Sequence, residues 1–333
     1  MKQKQAFKCT LGIWLMYVCN MKKFGYPATL LVVLFIIVSC NGIANAINGM
    51  ACPGSREKFV SWPCFILNDT AKKAIVITAG NAKLRNSMVL VYTKNGKGYI
   101  HDNIASAVAA IRELGAANKF NVEVSDDPGV FKEVNLKKYT LLIFASTNND
   151  VFDTDDQRLA FRRYIEAGGG FVGIHSITGT ERNWKWFKMM IGETFSWHAK
   201  FQHFSVRNID PSHPSMQGVP AIWEREDECY FGKELYPGIK VLMAHDLHTL
   251  QTVPADTLLK YAGSFGDFFP AVWYQHFEGG NIWITTLGHS KESYQDAGYK
   301  NHLLQGIKFI ASQFKGINYS NAHAVSKDDP VRN

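Results

Sequence analysis

Acidic residues are absent from the first 46 positions, cysteines number only six, and the 333-residue chain contains no Cys-x-x-Cys pair, fixed-period repeat or run of basic residues. Each absence removes a class of protein. Without Cys-x-x-Cys there is no cysteine-type metal motif, and without a repeat there is no solenoid or propeller. The formal charge of +7 invites a nucleic-acid reading, but Lys2, Lys4, Lys8, Lys22 and Lys23 all fall in the acid-free leader. Without those five, 31 basic side chains face 29 acidic ones, too even a balance to draw nucleic acid or an anionic membrane. What the chain does have is 46% apolar residues, enough to bury a sizeable core. One domain with extensions is the expected organisation.

The first extension carries a targeting signal. Met21-Lys22-Lys23, an apolar run from Ala28 to Val38 and then Ser39-Cys40 are the parts of a signal peptide. Ile37-Val38-Ser39-Cys40 resembles a bacterial lipobox, with the chain cut before Cys40 and its thiol lipidated. Ala44-Asn45-Ala46 offers ordinary cleavage instead. Both place the mature protein outside the cytoplasm, as a secreted, periplasmic or lipid-anchored species. Retention as a membrane anchor fits less well, because Asn41 and Asn45 interrupt a run short of the roughly 20 apolar residues that a span needs. The expected divisions are a leader over 1–46, an extension over 47–72 in which Cys52 and Cys64 could pair, a domain over 73–316 and a tail over 317–333.

Within the domain, strands and helices alternate. Ala74 to Thr78 is a β-branched run typical of a strand buried on both faces. After a polar loop, Asp102 is placed to cap a helix carrying Ile104, Val108, Ile111 and Leu114. Asn121 to Val124 and Leu141 to Ala145 read as strands, Thr154 with Gln157 as a capping box opening a helix to Gly168, and Gly170 to Ile174 as a further strand. Such alternation predicts an α/β fold with an open, mostly parallel sheet and helices on both faces. After residue 200 the pattern turns β-rich, with strands at Phe204–Ile209, Lys240–Ala244, Ala271–Tyr274 and Ile282–Thr286, then a last helix over 299–314. Ligands of open α/β sheets sit beyond the carboxyl ends of strands, which points to 78–81, 146–149 and 175–178.

One of these ends stands out. Gly168-Gly169-Gly170-Phe171-Val172-Gly173-Ile174-His175-Ser176 resembles the strand-to-helix elbow that presents a reactive side chain, here His175 or Ser176. Class I glutamine amidotransferases place cysteine at such an elbow; this chain has none there, so a cysteine-dependent glutaminase is excluded. With the glycine run, seven further segments carry a family resemblance: Tyr99-Ile100-His101-Asp102, Thr154-Asp155-Asp156-Gln157, Trp184-Lys185-Trp186-Phe187 with Ile191-Gly192, Phe195-Ser196-Trp197-His198, Asp210 to Ser215, Asp227-Glu228-Cys229-Tyr230, and Trp283 through Leu287-Gly288-His289. Over about residues 73–314 the chain resembles the ThuA-like (trehalose utilisation) domain. The resemblance implies a flavodoxin-like or class I glutamine amidotransferase-like fold and a role on disaccharides or their keto derivatives. Two positions depart from the pattern: Phe269 stands where many relatives have histidine, near the presumed cleft, and Cys229 replaces an aromatic.

Read as chemistry, His175, His289 and Glu228 are the candidate proton-transfer groups, since an imidazole near its ordinary pKa of about 6.5 both takes and gives a proton. Ser176, His101, His198, Asn148, Gln202 and Tyr294 are the candidate substrate binders. His198, His203 and His213 match no zinc spacing, so no metal and no cofactor are expected. The tryptophans Trp184 and Trp186 read as core. The reaction could be that of a sugar isomerase, lyase or hydrolase, and a sugar-binding module without turnover would use the same residues. Export makes a direct prediction. The mass of the mature N-terminus will correspond to a lipidated Cys40 or to a free terminus after Ala46, and a mature protein that still begins at Met1 or Met21 would contradict export.

Overall fold

The computed structural model describes residues 82–263 and 265–332. The leader with Cys40, the extension with Cys52 and Cys64, and the expected strand Ala74–Thr78 lie outside the described residues. The elements described in full run, in chain order, from β1 (Met88–Tyr92) through α1 (Ile104–Asn118), β2 (Asn121–Ser125), α2 (Glu133–Leu136), β3 (Tyr139–Ala145), α3 (Asp155–Glu166) and β4 (Gly170–Ile174). There follow α4 (Lys185–Ile191), β5 (Thr194–His198), β6 (Gln202–Asn208), β7 (Ile222–Asp227), β8 (Tyr230–Lys233) and β9 (Lys240–Asp246). The last are α5 (Ala255–Ala262), β10 (Phe268–Phe277), β11 (Gly280–Thr285) and α6 (Ala297–Gln313).

Among the described residues nine strands form one sheet in the order β2-β1-β3-β4-β11-β10-β9-β6-β7, and β5 pairs with β8 separately. From β2 to β11 the neighbours are parallel; from β11 to β7 they are antiparallel. The sheet is therefore mixed rather than mostly parallel, and the change of direction has a local cause. Phe277 pairs with Gly280, so only Glu278 and Gly279 connect β10 to β11, and both have positive φ, 44° and 98°. A two-residue turn of that kind closes only an antiparallel hairpin. A second correction concerns β1. The sequence reading passes over Met88-Val89-Leu90-Val91-Tyr92 as part of a polar loop, yet this uninterrupted apolar run lies between β2 and β3 with four of its five residues buried.

Alternation along the strands sorts the core into two clusters. Val89, Val91, Leu141, Ile143, Val172 and Ile174 join Ile111 of α1 and Leu303 and Ile307 of α6. Leu90, Tyr92, Leu142, Phe144 and Phe171 join Phe161 and Tyr164 of α3 and Trp186 and Phe187 of α4. Trp184 and Trp186 are core residues, as expected. The Thr154–Gln157 capping box forms and starts α3 one residue later. A Cβ at Gly173 would come within 2.7 Å of the side chains of Ile177 and Ile284, so glycine leaves room for both. Among the described residues no helix is long and apolar enough to cross a membrane.

Two histidines belong wholly to this core. Burial holds the imidazoles of His245 and His302 neutral, each pushed down to about 3. In the unfolded chain the same rings take up protons below about pH 6.5. Unfolding therefore binds protons between those values, so stability is complete above the upper one and falls as pH drops toward the lower. At about pH 5 each ring costs about 2 kcal/mol. His302→Gln is expected to flatten the dependence of the melting temperature between about pH 7 and about pH 5 by one ring's share; an unchanged slope would contradict it.

Candidate active site

The turn after β4 begins at His175, which takes the left-handed conformation, φ 55°. This is an unfavourable state for a residue with a Cβ, and it aims the ring across the sheet toward the residues that follow β11. There His175 Nδ1 lies 3.0 Å from the carbonyl of Thr286. The segment 287–289 is held from three sides. Tyr299 and Tyr294 donate their hydroxyls to Leu287 O and Gly288 O, and the Asn103 amide at the start of α1 donates to Gly288 O and His289 O at 2.8 and 2.9 Å. Asn103, rather than the expected Asp102, occupies the helix cap, and it makes no side-chain cap. Gly288 has φ 105°, and a Cβ there would lie 2.0 Å from the Tyr299 hydroxyl. The third hold is Asp227, at the end of β7 and fully buried. Its oxygens accept the N–H groups of Gly288 at 2.7 Å, His289 at 2.9 Å and Glu228 at 2.9 Å.

These restraints bring a carboxylate, four imidazoles and a phenol together. Glu228 Oε2 lies 3.0 Å from His289 Nδ1, and Oε1 lies 3.2 Å from His198 Nδ1. His289 Nδ1 is 3.3 Å from His175 Nε2. The Tyr230 hydroxyl is 3.0 Å from His175 Nε2 and 3.4 Å from His101 Nε2. On its other side His101 Nδ1 meets Ser176 Oγ at 3.2 Å, and that hydroxyl also reaches Thr147 O at 3.1 Å. A carbonyl only accepts, so the Ser176 proton goes to Thr147 and His101 donates from Nδ1. His175 likewise donates Nδ1–H to Thr286. Both rings thus turn unprotonated Nε2 atoms toward the same spot.

Burial, and next the charge of His289, push His101 down to about 4. His175, fully buried, falls well below its ordinary value, first through burial and then through its neighbour His101. His289 is the opposite case. Burial pulls it down, but the hydrogen bond and charge of Glu228, with Asp227 behind, more than reverse this and leave it above its ordinary value. Above the cluster opens a cavity of about 350 Å³ with His101, Ser176, His198, Glu228 and His289 as its polar wall. Tyr99, Phe195 and Tyr230 supply aromatic faces, and Asn148 and Arg182 supply amide and guanidinium groups.

A family model described as ThuA, trehalose utilisation, matches residues 88–310. The chain belongs to this family. Among solved structures, a ThuA-like protein from Bacteroides uniformis is similar at a TM-score of 0.59 and 23% identity, over 72% of this chain and 97% of that one. A ThuA-like protein from Parabacteroides merdae is similar at a TM-score of 0.52 and 16% identity, over 72% of this chain and 100% of that one. At these identities the likeness is one of fold. No curated protein matches the chain.

In this ThuA-family chain, six of the nine residues singled out from the sequence line the cavity: His101, Asn148, Ser176, His198, Glu228 and His289. His175 joins the cluster from below, with no exposed surface, and does not open into the cavity. Two residues lie elsewhere. The Gln202 side chain is spent on Lys200 O, the Thr252 hydroxyl and the N–H groups of Gln251 and Thr252, so it braces a turn. Tyr294 is buried and braces Gly288. Phe269 packs between Phe231 and Phe265 in the core, away from the cavity walls. Sequence reasoning missed Tyr230, Asp227 and Arg182. The first two flank Glu228 in a segment already quoted, and their proximity to it was the available signal; Arg182 carries none. Asp227→Asn replaces one of two accepting oxygens by a donor facing an N–H group. It is expected to cost about 2 kcal/mol, lowering the melting temperature by several degrees, and to loosen His289 from Glu228. An unchanged melting curve would contradict that role.

Proposed function

We propose that the chain is an exported sugar-directed enzyme of the ThuA family, in which Glu228 moves a proton to or from a disaccharide, or its keto derivative, held in the 350 Å³ cavity. The observation that carries this reading is a single carboxylate set between two imidazoles, 3.0 Å from His289 and 3.2 Å from His198, on the wall of a pocket of small-ligand size. A carboxylate so placed accepts the proton of an ionising hydroxyl or of a carbon beside a keto group. His289, which carries a proton on Nδ1 and has a raised proton affinity, is the acid that gives a proton back to the sugar.

The walls support a sugar as the ligand. Sugar rings have apolar faces that stack on aromatic rings and edges of hydroxyls that need donors and acceptors. Tyr99 and Phe195 provide the first, and Asn148 and Arg182 the second. Asn148, Ser176 and His289 follow the carboxyl ends of β3, β4 and β11, the position at which open α/β sheets bind ligands. The family description supports a disaccharide, and the leader supports action outside the cytoplasm. His175 is assigned a positioning part, because it lacks access to the cavity. Ser176 has its proton committed to Thr147, which argues against a serine hydrolase.

Product analysis by mass spectrometry against disaccharides and their oxidised forms tests the proposal. Glu228→Gln is expected to lower kcat by roughly 10²- to 10⁴-fold while sugar affinity stays within about tenfold. Full activity in that variant would overturn the assignment. Tight sugar binding by wild type with no product from any candidate would leave a binding module in its place.

A further inference from the structure

We propose that the imidazoles of His101, His175 and His289 bind a divalent first-row transition metal ion, zinc being the reference ion, at the floor of the sugar pocket. Its role there rests on the sugar reading above, while its presence rests on the three rings alone.

One nitrogen from each ring lies within 4.8 Å of the other two. The His289 Nδ1 to His175 Nε2 separation is 3.3 Å. Tetrahedral zinc with bonds of about 2.1 Å sets its nitrogen ligands about 3.4 Å apart, so this edge already has ligand spacing and the remaining nitrogens need only small ring rotations. The tautomers also suit a cation. Thr286 O fixes His175 as the Nδ1–H form and Ser176 does the same for His101. A second nitrogen tied to a carbonyl or hydroxyl is what orients a metal-bound histidine.

Proton accounting leads to the same conclusion. Four polar contacts meet at the cluster: Tyr230 with His175, Tyr230 with His101, His289 with His175 and His289 with Glu228. Only two protons are available for them, one on the Tyr230 hydroxyl and one on His289 Nδ1. At least one buried lone pair is left facing another acceptor, a costly state that a cation removes. The ligands come from three separate segments, each held independently, so the site is rigid. Glu228 lies outside the three-nitrogen set. That leaves a coordination position open toward the cavity for water or a sugar oxygen, with the carboxylate beside it as proton acceptor, the arrangement of a catalytic rather than a structural site. With His289 as ligand, proton transfer rests on Glu228 alone. The other grouping of this kind among the described residues, Glu166, Glu278 and His323, already holds the Arg162 guanidinium, at 2.9 Å from Glu166 and 3.4 Å from Glu278.

The expectation of no metal came from His198, His203 and His213, which are close in sequence. The cluster joins rings from distant segments, and no spacing motif reports it.

The test uses the full chain, stripped with a chelator and re-equilibrated with zinc, then with cobalt(II). Metal content by plasma mass spectrometry is expected to be about one ion per chain, and calorimetry with His289→Ala and His101→Gln to show binding more than about 100-fold weaker. Exposed His203→Ala and His248→Ala are expected to bind as wild type does. Circular dichroism confirms that each variant is folded. Cobalt(II) is expected to give visible d–d absorption that His289→Ala abolishes. Less than about one-tenth of an ion per wild-type chain, or equal affinity in the folded His289→Ala and His101→Gln variants, would overturn the site. Stoichiometric zinc in a protein that binds no sugar would uphold the ion and remove the sugar reading. Equal turnover by stripped and loaded protein would overturn the ion's role and leave that reading standing.

Discussion

The buried carboxylate of Asp227 is the constraint on which the site depends. It accepts three backbone N–H groups, one from Glu228 beside it and two from Gly288 and His289 beyond β11. A buried carboxylate is stable only when its lone pairs are met, so the end of β7 and the segment after β11 cannot part without exposing it. Glu228 and His289, each adjacent to one of those bonds, are brought to 3.0 Å as a consequence. Desolvation raises Asp227 and the Arg225 charge and the three N–H groups act against it, a balance that a neutral amide cannot reproduce.

The rest of the site is a matter of where strands end. β4 and β11 are adjacent and parallel, so the residues that follow them emerge side by side, and His175 Nδ1 reaches the carbonyl of Thr286. The antiparallel half contributes through β7, and the small β5–β8 pair adds Phe195, His198 and Tyr230. Chemistry then divides by depth. His175 lies wholly in the interior and His101 at the floor of the cavity, and burial keeps both neutral, whereas His289 and Glu228 stand hydrogen-bonded on the cavity wall. Ser176, Thr147 and Thr286 fix which nitrogen of each buried ring carries its hydrogen.

Much of this was legible beforehand, and for identifiable reasons. His175 and His289 were readable because each follows a short apolar run, and β4 and β11 fall where those runs predict. Glu228 was readable as a carboxylate in a family-like segment. Gln202 and Tyr294 were misread because composition says nothing about which partners a polar side chain has already taken. Tyr230 was passed over because a tyrosine among apolar neighbours looks like core, and most of its ring is. β1 was hidden by the polar residues on either side of it, and the antiparallel half by the two-residue turn at Glu278-Gly279, whose positive φ values no apolar pattern reports. The convergence of three histidines from separate segments is a property of topology.

The central claim is that two buried neutral imidazoles, His101 and His175, turn unprotonated Nε2 atoms to one point beneath the His289–Glu228 couple. Nitrogen-15 NMR of labelled histidine rings in the metal-free protein measures this directly, because nitrogen shifts report both protonation and tautomer. The account predicts that His101 and His175 remain neutral Nδ1–H tautomers from about pH 5 to about pH 8, while His289 titrates above its ordinary value. Titration of His175 near about 6.5, or an Nε2–H tautomer at either buried ring, would contradict it.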